Sequence, residues 1–171
     1  REYYSGRLER LWLDGVAKPA CPFPLGENSL YIAYYASAEM GCHLALDWDL
    51  PNSLLDLFCE FRCQTNGFSL HAGNGLLGAL SAYGLEHIPL VDKKEMRELA
   101  LRGGSYSSGE QVALLDYCQT DVDALVALLP KMAPKISIEH ALIRGHYMKA
   151  VARMESVGIP IDLPLLKRLQ A

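Results

Sequence analysis

At 171 residues the chain has room for one ordinary domain with a sizeable core, plus a short appendage. Half of the residues are hydrophobic and 21% are charged, the balance of a soluble globular protein. No apolar run reaches the roughly 18 residues of a bilayer span, and the first residues mix charge with aromatics, unlike a secretory signal. A cytoplasmic protein with no membrane partner is therefore expected. The first residue is Arg1 rather than Met, which suggests a fragment, a processed product or a partial reading frame.

Five cysteines make an odd number with no C-x2-C pair, which argues against a zinc ribbon, and reduced thiols, buried or half-buried, are expected. The net charge of −4 argues against a simple basic clamp for nucleic acid. Charge is unevenly placed, however. Residues 131–153 carry Lys131, Lys135, Arg144, Lys149 and Arg153 against Glu139 alone, whereas Glu110 to Asp123 holds four acids and no base. An acidic cluster beside a basic segment suits a site that holds cations and also touches phosphates, although solvated faces give the same composition.

In chain order, Glu2–Leu13 predicts two short strands around a Ser5-Gly6 turn. Pro19, Pro22, Pro24 and Gly26 mark a loop. Leu30 to Tyr35 predicts a buried strand, followed by a helix over 37–46 with Ser37 as its N-cap. Pro51-Asn52 breaks the chain before a short strand at Leu54–Leu57, which leads into a helix ending near Cys63. From Asn74 onward the pattern is helical. Helices are expected at Leu76–Tyr83, Lys93–Leu101, Ser107 or Ser108 to Leu129, and Ile138–Val157, the third stopped by Pro130 and the last by Gly158. Pro164 opens a further one.

The strongest chemical signal lies at Leu114-Leu-Asp-Tyr117-Cys-Gln-Thr-Asp121-Val-Asp123. Helical spacing places Leu114, Cys118, Val122, Leu125 and Leu129 on one apolar face. Tyr117 and Asp121, four residues apart, stack about 60–100° to one side of it, while Asp116 and Asp123 face water. Asp121 is then a carboxylate at the edge of a buried face, with a phenol one turn before it. That pairing suits a bound cation and an oriented water, and equally suits an ordinary surface acid beside a core-edge aromatic.

Tyr117-Cys118-x-x-Asp121-Val122 resembles the third exonuclease motif of DEDD proofreading domains, in the tyrosine variant. Met154-Glu155-x-x-Gly158-Ile-x-Ile-Asp162 resembles the passage from exonuclease to polymerase domain in family A DNA polymerases. Tyr31 to Gly41 is similar in layout to the second exonuclease motif, with Glu39 where the family has Asp and Tyr35 nearest the place of its Asn. Leu55-Asp56-Leu57 and Leu76–Leu85 resemble the segments that follow it, so the likeness covers about residues 30–169. The family's first motif, Asp-x-Glu on a central strand, occurs nowhere upstream of Leu30.

The resemblance implies a ribonuclease H-like α/β fold: a mixed sheet flanked by helices, lacking its first, central strand, with a helical C-terminal half. It implies a truncated 3′–5′ exonuclease domain at 1–135 and a helical connection to a following polymerase domain at 136–171. The implied reaction uses two divalent metal ions, Mg²⁺ or Mn²⁺, to hydrolyse the terminal phosphodiester of a single-stranded DNA 3′ end, RNA not excluded. Asp121 and Glu39 would be metal ligands and Tyr117 would orient the attacking water. Arg144, Lys149 and Arg153 would track phosphates, as would Lys93, Lys94 and Arg97. Two alternatives stand beside this reading: a degenerate, non-catalytic domain of a polymerase, which Glu39 and the missing Asn favour, and a helical interaction protein that shares the spacing by chance.

Overall fold

Two short strands organise the computed structural model, which describes residues 1–13, 18–85 and 90–170. Leu30–Ala33 forms β1 and Ser53–Asp56 forms β2, and they pair in parallel with Leu30 opposite Ser53 and Ala33 opposite Asp56. Helix α1, Ala36–Ala45, crosses between them, as a parallel pair requires. Five further helices of the described chain match the expected positions closely. They are α2 (Leu57–Gln64), α3 (Leu76–Ala82), α4 (Leu90–Arg102), α5 (Ser108–Met132) and α6 (Ile138–Val157). Leu163–Gln170 forms α7.

Strand periodicity sets the layers. Leu54 and Leu55 are both buried but point to opposite faces of the pair. Leu54 packs with Ala33, Ala36, Met40, Met148 and Ala152, so α1 and α6 cover one face. Leu55 packs with Phe61, Leu80, Leu128 and Met132, so α2, α3 and the end of α5 cover the other. Helix α6 reaches β2 through Gly145, where a Cβ would lie 1.9 Å from the Leu54 carbonyl oxygen. Only a residue without a side chain permits that approach. Ala141, Gly145, Met148 and Ala152 form the buried stripe of α6, so this helix belongs to the core of the residues before it.

Several expectations are corrected. The Glu2–Leu13 hairpin is absent: the segment makes one turn, with Glu2 N–H donating to Arg7 O, and no strand ladder. Among the described residues the sheet is parallel and two-stranded rather than mixed, and β1 and β2 bond directly, so no gap falls between them. Ser37 lies inside α1, whose N-cap is Tyr35. Helix α5 runs through Pro130 to Met132, because the proline forfeits one hydrogen bond in the last turn while Met132 is fully buried. At its other end Ser107 and Glu110 make a reciprocal capping box.

The buried line of α5 also differs from the expected face. Leu114, Leu128 and Met132 are buried, Cys118 is exposed, and Tyr117, Asp121 and Leu125 are half-buried between them. Val122 and Leu129 of the expected face are half-buried too, so Tyr117 and Asp121 flank the buried positions of α5.

Candidate functional site

The C-terminal ends of β1 and β2 meet the N-terminal ends of α1 and α2, and Asp56 holds that junction. Its carboxylate is 1% exposed and accepts four donors. Phe58 N–H donates at 2.9 Å and Cys59 Sγ at 3.6 Å, capping α2, while the Tyr35 and Ala36 N–H groups each donate at 3.0 Å from the start of α1. Tyr35 takes a left-handed conformation, φ 71°, to present those groups. A non-glycine residue there is strained, and four donors on one carboxylate offset the cost. An Asp directly before a helix is a legible N-cap in the sequence. Its grip on residues twenty positions earlier is not, because only the parallel register brings Ala33 beside Asp56.

Glu39 sits in the first turn of α1 beside this junction. One of its carboxylate oxygens, Oε2, is buried with no hydrogen-bond partner among the described residues. Burial pushes the Glu39 carboxyl up to about 7, and the charge of Asp56 adds to the effect. Around it, burial also raises the Tyr31 phenol, with the Glu39 charge contributing, and the Tyr34 hydroxyl donates to Asn74 O at 2.6 Å.

Tyr117 and Asp121 lie on α5, and each has an interaction partner. Asp116 is exposed as expected whereas Asp123 is half-buried, and the N-terminal segment binds both: Arg10 Nη2 reaches Asp116 at 2.5 Å and Arg1 pairs with Asp123. Among the described residues no three His, Cys, Asp or Glu side chains gather as a metal centre, and the carboxylate acting on Glu39 is Asp56. The oxygen-only donors suit Mg²⁺ or Mn²⁺, and the orphaned Glu39 oxygen has room in its chemistry for such an ion. Two metals need more ligands than Glu39 and Asp121 supply.

The expected phosphate-tracking residues divide. Arg144 is held by Glu60, Nε to Oε1 at 2.6 Å and Nη2 to Oε2 at 2.8 Å, and Glu60 is 2% exposed. A phosphate would have to displace a buried carboxylate to use this guanidinium. Lys149 Nζ donates to Pro51 O and Asn52 O at 2.9 and 3.1 Å. Arg153 is exposed on the same flank of α6. On α4, Lys94 pairs with Glu98, Arg97 is exposed, and the Lys93 side chain is outside the described residues. All five cysteines are free, with Cys42, Cys63 and Cys118 exposed. Among the described residues no helix is long and apolar enough to cross a membrane. No family model, curated protein or solved structure matches the chain.

Proposed function

We propose that this chain is part of a DNA polymerase I-like protein and carries two of the four carboxylates of a metal-dependent 3′–5′ exonuclease with a ribonuclease H-like fold. The observation that carries the reading is the half-buried Glu39 carboxyl in the first turn of α1, whose Oε2 is buried and has no hydrogen-bond partner among the described residues. Such a group is costly to hold in place, and unsatisfied carboxyls of raised pKa concentrate where chemistry is done. The half-buried placement of Tyr117 and Asp121 one turn apart on α5 supports it, since the two side chains share one side of that helix. When bound, the metals would activate water and stabilise the attacking and leaving oxygens. Asp121 and Glu39 would each offer a ligand, Tyr117 would orient the water, and the remaining two carboxylates would come from an Asp-x-Glu outside these residues.

A second reading, a degenerate domain that binds nucleic acid or serves a structural role in a polymerase, is favoured by Glu39 where the family has Asp and by the missing Asn. Mn²⁺ titration, followed through the free-ion paramagnetic signal, separates the two. Weak binding by the wild type, reduced in both Glu39→Gln and Asp121→Asn, is expected. Identical titrations for all three proteins would sink the exonuclease reading.

A further inference from the structure

Helix α6 and the loop that leads into β2 enclose an open cavity of about 770 Å³. His146, Lys149 and Arg153 line its helical side, spaced three and four residues apart and so sharing one flank. Asp49, Pro51 and Asn52 line the opposite side. Lys149 spans the two, with its ammonium donating to the Pro51 and Asn52 carbonyls and one N–H left over. Among the described residues neither His146 nor the Arg153 guanidinium has a hydrogen-bond or ion-pair partner. Burial lowers the Lys149 pKa, and the neighbouring charge of Arg153 lowers it further. Lys149 and Arg153 thus stand close together on one wall of the cavity, with the Asp49 carboxylate on the other.

We propose that this cavity binds a backbone phosphate of a single-stranded nucleic acid, with Arg153 and Lys149 as its charge partners and His146 as a third donor. The inference rests on the exonuclease reading, because it assigns the path of that enzyme's strand. An anion seated between Arg153 and Lys149 removes their mutual repulsion, and the two carbonyls that hold Lys149 fix its ammonium at the cavity wall. The open mouth and the volume, large for one phosphate, suit a chain that passes through. Asp49 opposes the anion from the far wall and limits affinity. Arg144, held by Glu60, takes no part.

The test is fluorescence anisotropy of a labelled oligodeoxythymidine, about ten nucleotides long, with chelator present so that no metal site contributes. Arg153→Ala should weaken binding about fivefold and flatten the dependence of log affinity on log salt by about 0.7, the loss of one single-strand phosphate contact. Asp49→Asn should tighten binding, while Lys131→Ala, an exposed charge elsewhere, should leave it unchanged. Equal affinities for Arg153→Ala, His146→Ala and Lys131→Ala would overturn the proposal. So would an equal loss for thymidine monophosphate and for the strand, which would mark a small-phosphate site. Asp121→Asn should bind the strand as the wild type does. Loss of the pocket effect with metal binding at Asp121 intact therefore refutes this inference alone, and the reverse result refutes the exonuclease reading alone.

Discussion

Glu39 gains a proton more readily in the fold than in the unfolded chain, with its folded pKa raised from 4.5 to about 7. Between those values the native state binds the extra proton, so stability falls as pH rises through the window and levels off above about pH 7. The loss is about 3 kcal/mol for a shift of this size. Glu39→Gln, neutral at all pH, should therefore be less sensitive to a change from pH 5 to pH 8 in urea unfolding by about that amount. Equal pH dependence in the two proteins would mean that the carboxyl is solvated after all. The residue was legible in the sequence only as an acid in the first turn of a helix, where the dipole alone accounts for it. Its burial comes from the register of β1 and β2 and from the helices packed over them, which no local pattern contains. Arg144 shows the same limit: its charge was readable, but its partner Glu60, eighty-four residues away, was not.

At the scale of elements, breakers and caps made most boundaries readable. Gly84 and Gly158 end α3 and α6 with positive φ, and Ser107 starts α5. Tertiary burial overrode the local signal at Pro130, where Met132 keeps the last turn in the core. The strands expected at Glu2–Leu13 find no neighbouring strand among the described residues and form no ladder. Segment 1–13 is instead tied to α5 through Arg1 and Arg10. The contact that most constrains an element is Gly145 against Leu54. Gly145→Ala should force α6 away from β2 and destabilise the protein by about 1–3 kcal/mol, despite alanine's better helix propensity. Thermal unfolding measures it. A stabilised variant would show that α6 does not lie this close to the strand.

At the scale of the whole molecule, the two parallel strands with α1 crossing between them give an α/β layer arrangement that the sequence order of strands and helices already implied. The site is less evenly readable. Tyr117 and Asp121 announce themselves by spacing, but how far each is buried depends on where the core of α5 falls. Asp56, which fixes the backbone that carries Glu39, was legible as an N-cap but not as the group that holds the start of α1. Helix α7 and the residues before it contribute no buried side chain and expose Ile159, Ile161 and Leu169, so the core ends with α6. The central claim, that these residues serve an exonuclease, is tested most directly by nucleotide release. A single strand labelled at its end is incubated with the polymerase I-like protein proposed to contain this chain, in Mg²⁺ or Mn²⁺, and with chelator as control. The account predicts metal-dependent release of single nucleotides from the 3′ end, abolished by Asp121→Ala and slowed by Tyr117→Phe without loss of strand binding. Equal digestion by the wild type and Asp121→Ala, or none by any of them, would contradict it.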